Sequence, residues 1–243
     1  ERAWRAVLMW RTSWLSREVI VLPAFIGVIA LWWLALRLGV STPLPLLAVI
    51  VLAALLWYCT AMIYACLRFI QEWAQPLTLV NFTLIGLSSG LILASALAAF
   101  AGEAALLRVT GPCALVVTLI AWATRMLALR HNATLKHKST LQSATGIKAP
   151  NLLQKSMGMS AGSFNTREFF HGRTLAVLKQ VKLGFIVLCF ALPALFAVWG
   201  LATGAMLPWA LAVICQVPGL VAERWFFFAQ ARHPQNLYYQ VVS

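Results

Sequence analysis

Few side chains in this chain can do chemistry, and they gather at the ends of apolar runs. Only six residues are acidic, all of them Glu. Glu18 follows Arg17 at the start of one such run. Arg11, Trp14 and Glu18 stand at helical intervals and are expected to share a face. A carboxylate at a membrane edge can exchange protons with a bound redox lipid. Reducing a quinone takes two electrons and two protons, so its head-group site needs a proton-exchanging side chain and donors to the carbonyls. Glu18, Trp14, Arg17 and Arg11 supply that set. An interfacial ion pair without a redox part accounts for the same spacing.

A second acidic position, Glu223-Arg224, closes the last apolar run and is followed by Trp225 and three Phe. An aromatic belt with an anchoring charge pair is the plainer reading there. Gln216, two residues before Pro218, suits a hydrogen bond to another helix. Arg125 lies somewhat inside its run and has two possible partners, Glu18 and Glu223. The four His are His131, His137, His171 and His233, and none falls in the middle of a run. That argues against a bis-His b-type haem and leaves His131 and His233, at run ends, as the weak ligand candidates. The five Cys lie in apolar runs and form no CxxC pair. An iron–sulfur cluster would need about four grouped thiolates, so any cluster belongs to a partner and no metal site is expected in this chain.

The elements that position these residues are apolar helices. The chain is 62% hydrophobic and 10% charged, where a soluble domain would carry about a quarter charged residues. Runs of roughly 20 residues recur, the length that crosses a hydrocarbon core of about 30 Å. They fall near 18–36, 44–67, 77–100, 104–129, 183–203 and 206–228, so the expected fold is an all-α integral membrane bundle of six spans. Residues 1–17 read as an interfacial lead-in, and Pro23 is expected to kink the first span. Gly86-Leu-Ser-Ser-Gly90 in the third span permits close helix approach within the chain. The expected division is 1–130 as lead-in with four spans, 131–182 as a long basic loop, and 183–243 as two spans with a tail.

A net charge of +13 would point to nucleic acid in a soluble protein. Here the loops of one membrane face account for it, and no nucleic-acid partner is expected. With the long loop in the cytoplasm and the spans alternating, only Arg37 and Arg108 among the 19 Lys and Arg fall on the opposite face. The positive-inside rule then sets both ends in the cytoplasm. Within the loop, SAGSFNTREFFHGRT is richer in Phe than a solvated linker. Phe164, Asn165, Arg167, Glu168, Phe169, His171 and Arg173 read as an ordered surface that meets another protein, or as a segment tucked onto the membrane.

ERAW at the start, SWLSREV before the first span, the GLSSG helix, SFNTREFFHG, and the tail ERWFFFAQARHPQNLYYQ together resemble the membrane anchor subunits of the dimethyl sulfoxide reductase family. Within that family the branch of cytoplasmic quinone-linked sulfite dehydrogenases is the nearest. The resemblance covers nearly the whole chain. It implies a bundle of eight spans, the first two preceding Glu1, in a bacterial inner membrane. It implies an iron–sulfur electron-transfer subunit and a molybdopterin catalytic subunit as partners, with ubiquinone or menaquinone as the electron carrier. It carries the acidic quinol-site role to Glu18. The family's His-Leu-Gly turns before the segment matching Glu1–Ala6 have no counterpart here. Only Arg224 matches the family's closing motif, because Glu223-Arg224 departs from a Glu-x-x-x-Arg order. The cytoplasmic docking face fits sulfite oxidation with quinone reduced. A quinol-oxidising reductase anchor and a six-span transporter are the competing readings, and the second would place charges near the midplane of interrupted helices.

Overall fold

The computed structural model describes residues 3–40, 42–136, 140–152 and 174–232. Regular structure among them is entirely helical. A 3-10 helix, Ala3–Met9, leads into α1 (Trp14–Arg37), α2 (Leu44–Ala65), α3 (Pro76–Ala101), α4 (Ala104–Thr134), the short α5 (Leu141–Thr145), α6 (Leu175–Thr203) and α7 (Met206–Ala229). All but the 3-10 helix and α5 are long and apolar enough to cross a membrane. The six-span reading therefore holds, and the chain is a multi-pass membrane protein.

Local chemistry sets the ends. Ser13, in extended backbone, caps α1 by accepting the Ser16 amide on its hydroxyl at 3.3 Å. Arg11 lies in the turn before that cap, so it shares no helical face with Trp14 and Glu18, contrary to expectation. Proline at the first turn starts α2, where its missing N–H costs nothing. Gly204, at φ 67°, ends α6 and returns its amide to the Gly200 carbonyl at 2.8 Å. α1 runs unbroken through Pro23.

The largest departures from the hydropathy reading are at two boundaries. α4 continues to Thr134, and α6 starts at Leu175 rather than near residue 183. Hydropathy marks the apolar core of a helix, whereas the helix proceeds past it wherever a cap is available. Thr174 provides that cap, accepting the Val177 amide at 3.5 Å.

The described chain resolves into two compact units. The first comprises the described residues of Glu1–Leu67 with Ala74–Thr83, and in it α1 packs along α2. The second comprises those of Arg68–Trp73 and Leu84–Ser243, where α6 packs on both α7 and α4. Buried positions in the second unit alternate three and four apart. They are Gly111, Ala114, Thr118, Ala121, Arg125 and Ala128 on α4, and Trp209, Ala212, Gln216, Gly219, Glu223 and Phe226 on α7. That spacing keeps one stripe of a helix against its neighbours. Small residues dominate the α4 stripe, as expected where packing rather than water exclusion drives association.

The α6–α7 contact is closer than side chains allow. Pro193 has no N–H to give Cys189 O four residues back, and its ring crowds that carbonyl. The helix answers with a π segment, Val187–Ala191, whose following Leu192 amide donates to Val187 O. The Cys189 carbonyl instead accepts the Gln216 side-chain amide at 3.4 Å. Opposite it, a Cβ on Gly219 would stand 2.5 Å from Cys189 N and 2.6 Å from Leu188 C. Two backbones touch there because residue 219 has no side chain. Gly200 and Gly111 similarly make room for the indole of Trp209, which is fully buried. Gly90, singled out by the GLSSG pattern, has nothing within 4 Å of a Cβ position.

Candidate functional site: a carboxylate held between two helix ends

The first turn of α1 presents Trp14 and Glu18 on one face, four residues apart. α2 runs the other way and brings the end of its own span beside them. Thr60 Oγ1 donates to Glu18 Oε1 at 2.5 Å. Tyr58 meets the Trp14 ring edge-on, with centroids 5.3 Å apart. Glu18, Arg17 and Trp14 are each half-buried. Such a carboxylate has a fixed position yet is open to a ligand from one side.

Arg17 does not pair with Glu18. Its guanidinium turns back to the lead-in, where Nε donates to Trp10 O at 2.9 Å and Nη2 to Arg11 O at 3.0 Å. It also lies 4.0 Å from the Trp14 ring centroid. Arg11 contributes its carbonyl to this clamp, and its own guanidinium covers Trp10 at 5.3 Å. The simple ion pair of the alternative reading is therefore not formed. The arrangement instead holds a cation over an aromatic ring beside an acid whose hydrogen bond comes from another helix.

Arg224 is placed in the second unit. Glu223, fully buried, bridges two guanidinium groups: Arg125 Nη2 at 2.9 Å and Arg224 Nη2 at 2.6 Å. Arg125 is 3% exposed, so the pair sits within protein, where an unpartnered charge would be very costly. Of the two acids open to Arg125, the structure selects Glu223. One layer deeper, Gln216 Nε2 donates to Ser88 Oγ at 3.3 Å, and Ser88 shares a 2.7 Å bond with Thr118. This confirms Gln216 as a helix-to-helix bond rather than a ligand group. A polar cavity of about 270 Å³ opens near the end of α4, lined by Glu72, Asn132, Lys182, Gln230 and Arg232.

His131 is exposed in the last turn of α4. Phe164, Asn165, Arg167, Glu168, Phe169, His171, Arg173 and His233 lie outside the described residues. Thr60 and Tyr58 are the site residues that sequence reasoning missed. A hydroxyl and a phenol within an apolar run give no sign of which neighbour they will meet.

A model of the DMSO reductase anchor subunit (DmsC) family matches residues 1–229. The chain is 46% identical over 258 aligned positions to a sulfite dehydrogenase subunit of Allochromatium vinosum, covering 100% of this chain and 79% of that one. No solved structure gives a significant match.

Proposed function

The chain belongs to the family of DMSO reductase anchor subunits, and from that premise we propose that it passes electrons from a docked iron–sulfur subunit to membrane quinone beside Glu18. Serving as a membrane anchor is the family's part; the quinone chemistry and its direction are our reading. The observation that carries it is the half-buried Glu18 carboxylate near the N-terminal end of α1, bonded by Thr60 and flanked by Trp14 and Arg17. Two electrons arrive singly from the iron–sulfur partner, and two protons must reach the quinone oxygens. Glu18 delivers a proton from an oxygen facing the head group and is reprotonated from the aqueous side. Arg17 and Trp14 stand beside Glu18 in the first turn of α1, the cation over the indole ring.

The identity to a sulfite dehydrogenase subunit supports sulfite as the electron donor, oxidised at a molybdopterin subunit that this chain does not contain. The charge asymmetry supports a bacterial inner membrane with the docking face and both ends in the cytoplasm. The segment from Phe164 to Arg173 is the proposed docking surface for the iron–sulfur subunit.

Replacing Glu18 with Gln in the assembled complex tests the reading, with a quinone analogue and an artificial soluble acceptor assayed in parallel. Loss of a proton-transfer group lowers the quinone-dependent rate by about a hundredfold or more, while the artificial acceptor, which bypasses this chain, keeps its rate. An unchanged quinone rate removes Glu18 from the mechanism.

A further inference from the structure

The helical Thr hydroxyls of this chain mostly return their proton to their own backbone. Thr110, Thr118, Thr145 and Thr203 each donate to the carbonyl four residues back. That is the ordinary habit of Thr inside a helix. Thr60 departs from it. Its hydroxyl crosses to α1 and donates to Glu18 Oε1 at 2.5 Å, the length of a strong hydroxyl–carboxylate bond. Glu18 Oε2 accepts no hydrogen bond among the described residues. The two carboxylate oxygens are therefore not equivalent, one being occupied from α2 and the other free.

We infer that Thr60 is a positioning residue for proton exchange: by occupying Oε1 it turns Oε2 toward the quinone head group and makes Oε2 the oxygen through which the proton passes. The inference rests on the role of Glu18 proposed above. In the step, the Oε2–H bond of the carboxylic acid breaks and an O–H bond forms on a quinone oxygen, whose electrons come from the iron–sulfur donor of the docked subunit. Water at the membrane surface then reprotonates Oε2. Thr60 loses and gains nothing; its bond to Oε1 persists through the cycle. The adjacent Tyr58–Trp14 contact is a second link between the two helices at that level. Orientation of this kind is worth a large factor in rate, because a carboxylate turned away from its partner must find it again at every turnover.

The test uses the assembled complex with four substitutions and the two acceptors. Thr60→Val keeps the shape and removes the donor. Its quinone-dependent kcat falls about tenfold or more, KM for the quinone stays within about twofold, and the artificial-acceptor rate is retained. Thr60→Ser, which keeps the hydroxyl, restores most of the quinone rate. Should Thr60→Val not assemble, Thr60→Ala reports the same loss without added bulk. A Thr60→Val quinone rate equal to the parent overturns the inference. Equal loss with both acceptors, or no rescue by Ser, assigns Thr60 to packing and overturns it as well. Glu18→Gln separates the two levels: if it is silent, the reading of Glu18 itself has failed, whereas a damaging Glu18→Gln beside a silent Thr60→Val defeats the positioning role alone.

Discussion

Glu223 shows what a single buried charge demands of its surroundings. It has almost no contact with solvent and holds Arg125 on one oxygen and Arg224 on the other. Removing the acid leaves Arg125 charged and stranded within protein. Breaking such a pair costs about 3–5 kcal/mol, whereas replacing both partners with apolar groups is often neutral. Glu223→Gln is therefore expected to lower the thermal unfolding midpoint of the detergent-solubilised complex markedly. Arg125→Met combined with Glu223→Leu is expected to recover most of it, because Arg224 is one-third exposed and can turn to water. If the double variant is as unstable as the single one, the pair has a role beyond mutual neutralisation. The sequence made Glu18, Arg17 and Trp14 visible, since charges beside apolar runs stand out. It left the partner of Arg125 open, because that choice depends on which helices become neighbours. Thr60 was invisible for a different reason. A Thr within a helix has a carbonyl of its own to satisfy it, and nothing in the one-dimensional pattern reveals that it has chosen another.

At the level of helices, the span count and most ends were legible from hydropathy, but the contacts between spans were not. GLSSG drew attention to Gly90, where the structure leaves open space, while Gly219 stands against bare backbone. The difference arises because a motif reports only where approach is permitted. Whether approach happens depends on the facing helix, here bent by Pro193 into a π segment that presents the Cys189 peptide. The two glycines make opposite predictions. Gly219→Ala drives a methyl into the α6 backbone and is expected to destabilise by about 1–3 kcal/mol, the range for overpacking. Gly90→Ala meets nothing and gains helix propensity, up to about 1 kcal/mol. A thermal ramp on the two purified variant complexes distinguishes them. Equal midpoints would mean that α6 yields at Cys189, and the backbone contact would then set no limit.

For the molecule as a whole, charge placement decides which way the bundle points. The prediction is that a cysteine placed at Arg108 reacts with a membrane-impermeant maleimide in intact cells and one placed at Lys148 does not, on a background in which the exposed Cys66 and Cys113 are serine. Labelling of both positions, or of Lys148→Cys alone, reverses the proposed orientation and with it the cytoplasmic docking face. The division into two units was not legible in advance. Pattern shows each span as one more apolar run, and only contacts show that α1 and α2 bury just Ser16, Val21, Cys59 and Ala61 while α4 and α7 carry continuous buried stripes. The Gly219 contact has a mechanical corollary. Two peptide backbones that meet without an intervening side chain have no soft layer in which to slip or swivel, so α7 keeps one heading on α6. The aromatic cluster at Trp225–Phe228, near the end of α7, inherits that bearing, and its aim is set about two turns away, by an atom that is missing.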